Sequence, residues 1–313
     1  MNIVFIDAAS LPSPLPRPAE AKQWTEREKT SSDQVVAALQ NATAAITNKV
    51  RIDRSALEQL PGLKLICVAA TGYDCVDIAA CRDQGVTVCN VPAYSAVSVA
   101  ESVIGSLFAL RRHLMAYREA AAAQWPDSSH FCVHGAPIQD VQGSTLGIIG
   151  RGDIGSRVAR LAKALEINVV FAEHRGASQV RSGYTPFDEV LATADAITLH
   201  CPLTPQTRYL IGSAEIARMK PGALLINTAR GPLVDENAVL EGLSSGQLGG
   251  AALDVLYAEP PRADHPLLHN PHPNLLVTPH VGWASQSSVA KLKAILAANI
   301  AAFAAGKPIN VVT

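Results

Sequence analysis

An α/β fold with parallel sheets, divided into two domains, is what the amino-acid sequence predicts, and three observations carry it. Short apolar runs of strand length alternate with helical segments along most of the chain, the pattern of strands covered by helices on both faces. At 313 residues the chain is long for one hydrophobic core and comfortable for two. A glycine-rich turn, Gly150-Arg151-Gly152-Asp153-Ile154-Gly155, stands between the apolar run Leu146-Gly147-Ile148-Ile149 and a helical segment.

In chain order, Asn2 to Ile6 reads as a buried strand, followed by a proline-rich loop from Leu11 to Arg17. Asp33 to Leu39 has helical spacing, and Ala44 to Thr47 forms the next apolar run. A short helix from Ser55 to Leu60 is stopped by Pro61-Gly62. Leu65 to Val68 is a strand, Val76 to Gln84 a helix, and Val86 to Cys89 a strand. Together they predict a first α/β domain of roughly 100 residues. Ser98 to Ala123 then carries one long helical pattern, and the irregular stretch from Trp125 to Gly143 links it to the glycine turn.

The second domain is predicted to hold strands at Leu146–Ile149, Asn168–Ala172, Ala194–Leu199, Ala223–Ile226, Ala251–Leu253 and Leu275–Val277, with a helix from Arg157 to Glu166. In open α/β sheets ligands bind beyond the carboxyl ends of the strands. The residues there are Gly150, Glu173, His200-Cys201-Pro202, Asn227-Thr228-Ala229-Arg230, Asp254 and Thr278-Pro279-His280. Several strands thus deliver polar groups to one rim. A last helix, about Ser287 to Ala305, and an extended tail from Pro308 to Val312 suit a return of the chain to the first domain.

The glycine turn fits the dinucleotide fingerprint G-x-G-x-x-G. Gly150 permits a tight turn, Gly152 lets the backbone approach a pyrophosphate, and Gly155 allows close packing of helix on strand. The N-terminus of the following helix then offers its free N–H groups to the phosphates, and Asp153 and Ile154 within the turn are candidate cofactor-binding residues. Glu173 ends the next apolar run, 18 positions after Gly155, close to the roughly 20 expected of a ribose-binding carboxylate. Such a carboxylate accepts the ribose hydroxyls and repels a 2′-phosphate, which favours NAD over NADP. Arg151, His174 and Arg175 are placed to offset part of that repulsion.

Composition excludes other classes. Residues are 48% hydrophobic and 17% charged, as in a packed globule. A net charge of −1 with no basic cluster gives nucleic acid or an anionic membrane no electrostatic hold. No apolar stretch of roughly 18 residues suitable for a membrane span is evident, and the N-terminus has no signal-peptide pattern. Six cysteines without C-x-x-C spacing read as free thiols in a reducing compartment, so a cytoplasmic location is expected. The histidines show no metal-binding spacing, and no metal is expected. G-x-S-x-G is absent, and Cys201 before Pro202 reads as a small packing residue.

Arg230, directly after a buried strand, suits a substrate carboxylate or carbonyl, or equally a salt bridge with Asp235. His280 is either a proton carrier backed by a carboxylate or a satisfied structural histidine.

With these residues assembled, the chain resembles the D-isomer-specific 2-hydroxyacid dehydrogenases over essentially its full length. The resemblance rests on Thr71 to Asp77, Asn90-Val91-Pro92 with Val99-Ala100-Glu101, Leu146 to Gly155 and His200 to Thr207. It continues through Asn227 to Asp235, Ala252 to Pro261 and Thr278 to Ser285. Ala172-Glu173-His174-Arg175-Gly176-Ala177 is most similar to glycerate dehydrogenases and hydroxypyruvate reductases.

The resemblance implies two Rossmann-like or flavodoxin-like parallel-sheet domains with an active-site cleft between them. Residues 99–281 would bind the dinucleotide, and 1–98 with 282–313 would form the substrate-binding domain. It also implies a homodimer and a small 2-keto or 2-hydroxy acid substrate. Carried over by position, His280 is the acid/base, Glu259 its partner and Arg230 the substrate anchor. The N–H groups of Thr71 and Gly72 hold the substrate carboxylate. Cys201, Pro202, Thr228, Ala229, Asp254 and Gly282 line the cofactor, with Asp254 near the carboxamide. Two departures stand out: Cys75 where an asparagine is usual, and Arg151 inside the glycine turn where an uncharged residue is usual. The expected activity is NAD-dependent reduction of hydroxypyruvate or glyoxylate; the alternative is a dinucleotide-sensing corepressor on the same fold.

Overall fold

The computed structural model describes every residue except Pro271. The chain divides into two compact units, Met1–Ser95 with Ala284–Thr313, and Ala96–Trp283.

The first unit contains β1 (Asn2–Phe5), β2 (Gln23–Glu26), α1 (Val35–Leu39), β3 (Ala44–Thr47), α2 (Arg54–Glu58), β4 (Leu65–Val68), α3 (Ile78–Asp83) and β5 (Thr87–Cys89). The strands form one parallel sheet in the order β2-β1-β3-β4-β5. Strands β3 and β4 are buried at every position, which is why they read as unbroken apolar runs. Strand β2 was not foreseen: Gln23-Trp24-Thr25-Glu26 is an exposed edge with no apolar alternation to betray it. Asp53 and Asp77 cap α2 and α3 by accepting the N–H groups of Ala56 and Ala80 at 3.0 and 2.9 Å. After β4, the Thr71 hydroxyl donates to Val91 O at 2.8 Å and Asn90 Nδ2 donates to Thr71 O at 2.7 Å. Among the described residues the N–H groups of Thr71 and Gly72 meet no protein acceptor.

The second unit opens with α4 (Ala96–Arg111) and α5 (Leu114–Ala123). The single helix expected over 98–123 is therefore two. Burial explains the break: α4 buries Val103, Leu107 and Leu110, α5 buries nothing, and the chain turns where the core ends. His113 takes the turn with φ 48°, a left-handed conformation that histidine tolerates better than most side chains.

Then follow β6 (Thr145–Ile149), α6 (Asp153–Ala164), β7 (Asn168–Ala172), α7 (Phe187–Thr193), β8 (Ala196–Leu199) and α8 (Ser213–Arg218). The unit is completed by β9 (Ala223–Asn227), α9 (Glu236–Ser245), β10 (Leu248–Leu253) and β11 (Leu275–Val277). Helix α6 begins at Asp153, inside the glycine turn, rather than at the expected Arg157. The parallel sheet runs β11-β10-β9-β8-β6-β7. Alternate strand residues feed two cores. Leu146, Ile148, Leu224 and Ile226 pack with α4 and α6, while Ile197, Leu199, Leu225 and Leu253 pack with α7, α8 and α9. The strand order reverses direction between β6 and β8, the switch point where doubly wound sheets open a crevice.

Helix α10 (Gln286–Ala304) belongs to the first unit and packs on β4. Asn299 Nδ2 donates to Asn90 O at 2.8 Å, and Val312 N–H donates to Val88 O at 2.9 Å, so helix and tail both close on the sheet. The expectation of no membrane-length apolar stretch needs correction. With 19 residues and mean hydropathy 1.3, α10 is long and apolar enough by length and composition. Its Val289, Leu292, Leu296 and Ile300 are buried at helical spacing, a stripe facing the core of the unit.

Candidate active site

The switch point is built from glycine. Gly150 follows β6 with φ 104°, and a Cβ there would lie 2.6 Å from the His200 carbonyl and 2.7 Å from Cys201 N, after β8. A Cβ on Gly155 would lie 2.0 Å from Gly150 O, so α6 reaches its strand only through glycine. At Gly152 a Cβ would meet no atom of the described residues within 4 Å. Gly152 N-caps α6 with no side-chain hydrogen bond, leaving the first N–H groups of the helix to an anion. His200 is half-buried, with Nε2 at 3.0 Å from Thr198 Oγ1; desolvation pushes its imidazole down to about 3, so the rim gains no charge from it. Burial also pushes the Cys201 thiol up to about 11, which keeps it from serving as a nucleophile.

The loop after β9 is tied down by buried Asn227. Its Oδ1 accepts the Ala229 N–H at 3.0 Å and its Nδ2 donates to Arg230 O at 2.9 Å, bracketing Thr228-Ala229-Arg230. Thr228 Oγ1 is buried without a hydrogen-bond partner among the described residues. Arg230 Nη1 donates to Ala229 O at 2.7 Å, and Asp235 accepts from Asn237 N–H to cap α9. Gly231 sets this loop against the next: a Cβ there would sit 1.9 Å from Leu256 O. Sequence reasoning named Gly231 only as part of a motif; its function is this close approach.

Asp254, after β10, organises the turn that carries His280. It accepts from Thr278 Oγ1 at 2.6 Å, Val281 N–H at 2.9 Å and Gly282 N–H at 2.8 Å. Both its oxygens are thus committed to the turn. Ser98 Oγ donates to Gly282 O at 2.6 Å, anchoring the turn to α4. Within the turn His280 adopts φ 53°, and its Nδ1 lies 2.7 Å from Glu259 Oε2. Glu259 Oε1 accepts the Leu256 N–H at 3.0 Å.

Glu173 directly follows β7 and is 3% exposed. It is not the open carboxylate the spacing implied. Arg181 covers it with two side-chain hydrogen bonds, a residue the sequence reading missed because it lies in a loop outside any motif. The nearby cations also settle differently from expectation. Arg175 pairs with Glu215 at 3.4 Å, the His174 ring stands 3.9 Å from Glu173, and Arg151 lies over the Phe171 ring at 4.6 Å. Among the described residues there is no cluster of metal-ligating side chains.

These features fit a dinucleotide: open space at Gly152, an uncapped helix N-terminus at the switch point, and the orphan Thr228 hydroxyl. Fold and site thus define an NAD-dependent oxidoreductase of the α/β class. The chain belongs to the D-isomer-specific 2-hydroxyacid dehydrogenases, whose NAD-binding-domain model matches residues 104–282. A glycerate dehydrogenase of Methylorubrum extorquens is 44% identical over 99% of this chain and 98% of its own length. A hydroxypyruvate reductase of Blautia hydrogenotrophica is 33% identical over 90% of this chain and 88% of its own. Among solved structures, an acyclic imino acid reductase in complex with NADPH and D-Arg is 28% identical, with TM-score 0.87 and 100% of each chain covered.

Proposed function

We propose that this enzyme reduces hydroxypyruvate or glyoxylate with NADH, with His280, Glu259 and Arg230 as its catalytic residues. The observation that carries the reading is the 2.7 Å contact of His280 Nδ1 with Glu259 Oε2, since a carboxylate-backed imidazole is built to hold and pass one proton. When bound, the nicotinamide supplies hydride chemistry at the keto carbon. Nδ1–H donates to Glu259, which presents Nε2 as the proton donor to the carbonyl oxygen. The Arg230 guanidinium orients the substrate and draws electron density toward that oxygen. The Thr71 and Gly72 N–H groups take the substrate carboxylate, making the first unit the substrate-binding domain. Thr228, Ala229, Cys201, Pro202 and Gly282 line the cofactor, and Asp254 serves His280 through its turn.

A homodimer is the assembly the family resemblance favours. A cytoplasmic setting accords with the free state of all six cysteines. The test is turnover of a panel of 2-keto acids with NADH. Fastest kcat/KM on hydroxypyruvate or glyoxylate supports the reading. A preference of about a hundredfold or more for a larger keto acid would replace the substrate, and no turnover on any would remove the activity.

A further inference from the structure

The acceptor capacity of Glu173 is full. Oε1 accepts from His174 N–H at 2.8 Å and Arg181 Nη2 at 2.6 Å; Oε2 accepts from Arg181 Nε at 2.7 Å and Arg181 N–H at 3.0 Å. A two-pronged guanidinium–carboxylate pair is a strong and directional contact. Its consequence here is electrostatic, because the carboxylate that should repel a 2′-phosphate is neutralised across both oxygens.

A second guanidinium stands close by. Arg151, from the variable position of the glycine turn, lies 4.6 Å over Phe171 and 5.5 Å over Tyr184, while Arg181 lies 4.1 Å over Tyr184. Both guanidinium groups therefore lie against the Tyr184 ring, in the loop that follows β7. Among the described residues Arg151 has no carboxylate partner, whereas Arg175 is neutralised by Glu215. One carboxylate against two guanidinium groups leaves the place where the 2′ position is read positive rather than negative.

We propose that Arg181 sets cofactor specificity: it cancels the charge of Glu173 and, with Arg151, offers a 2′-phosphate its donors, so that the enzyme binds NADPH alongside NADH. The inference rests on the reading of this rim as the dinucleotide site. Toward NAD(H), the ribose hydroxyls exchange with one prong of Arg181 on Glu173. Toward NADP(H), Arg181 turns its fork from carboxylate to phosphate, two acceptors of matching geometry. Its side chain is 54% exposed, so the fork has room to turn.

The test is calorimetric titration of the full chain with 5′-AMP and with adenosine 2′,5′-bisphosphate, which differ only in the 2′-phosphate. Wild type is expected to bind the bisphosphate within about tenfold of 5′-AMP, a gap of about 1.4 kcal/mol. Arg181→Met keeps the stem over Tyr184 and is expected to weaken the bisphosphate by at least about tenfold while leaving 5′-AMP unchanged or tighter. Arg181→Lys, with one prong, should fall between. The proposal is overturned if wild type discriminates against the bisphosphate by more than about a hundredfold, or if Arg181→Met leaves the ratio of the two affinities unchanged. If neither nucleotide nor NADH binds, the dinucleotide reading falls with it. Keto-acid turnover plays no part in these titrations, so an error in the substrate leaves their result standing.

Discussion

His280 Nδ1 lies 2.7 Å from Glu259 Oε2, and the other oxygen of that carboxylate is held by the Leu256 N–H at 3.0 Å. The carboxylate is thus fixed by its own turn before it meets the imidazole. Asp254 fixes the histidine side of the pair through Val281 and Gly282 N–H. Two acidic residues therefore aim one ring, one by touching it and one by shaping the backbone beneath it.

His280→Ala should lower kcat for reduction by roughly a hundredfold or more, the range expected of a lost general acid. Glu259→Gln keeps the size but can offer an amide N–H to Nδ1, favouring the wrong tautomer, so kcat should fall by about tenfold or more. Neither change should alter the Kd for NADH by more than about twofold. Steady-state kinetics beside equilibrium NADH binding checks both; a kcat near wild type in His280→Ala would remove it from proton transfer.

What the sequence made legible follows physical lines. Strands β3, β4 and β9 are buried at every position, and an unbroken apolar run announces such strands at once. The glycine turn was readable because Gly150 and Gly155 are demanded by contacts of 2.6 and 2.0 Å that no Cβ survives. Strand β2 was invisible because an exposed edge has no face to bury. The break at His113 was invisible too, since helical spacing on either side of it is continuous while burial is not. Arg181 escaped for a third reason: a loop residue eight positions past Glu173 has no periodicity, and its partner is set by tertiary structure alone.

Arg230→Lys keeps a charge but loses the planar fork. Asn227 holds the backbone on either side of Arg230 through contacts of 3.0 and 2.9 Å, so the loop should keep its shape in the variant. The expected result is a loss of kcat/KM for hydroxypyruvate of roughly a hundredfold, with NADH affinity little changed. Near-normal kcat/KM would make Arg230 a structural arginine.

Thr228→Val separates binding from stability. The Thr228 hydroxyl is buried without a partner among the described residues, so in the free enzyme it costs desolvation and returns nothing. The near-isosteric valine should leave Tm unchanged or raise it, while NADH binds about threefold to tenfold more weakly for want of the hydroxyl. Thermal melts and NADH titration on the same sample check this. A clear fall in Tm would show that the hydroxyl already has a partner in the fold.

The Arg181–Glu173 pair should leave its mark on stability against pH. The Arg181 guanidinium holds the Glu173 carboxyl down at about 2, against 4.5 for an ordinary glutamate. A depressed folded value means that the unfolded chain takes up the proton first as pH falls. The contribution of the pair is therefore full above about 4.5 and is lost progressively as pH falls toward about 2. Glu173→Gln removes the titrating group at constant size. The Tm advantage of wild type over that variant should be constant from neutral pH down to about 5 and then shrink steadily toward about 3. Arg181→Met should flatten the same acid limb, because it removes the cause of the shift. With Arg181 54% exposed the effect is screened by salt, so added chloride should reduce it at neutral pH. Melts of the three proteins across that range decide it. A wild-type advantage that stays constant down to about 3 would mean that Glu173 is not held low by Arg181, and would remove the electrostatic ground for reading Arg181 as the specificity residue.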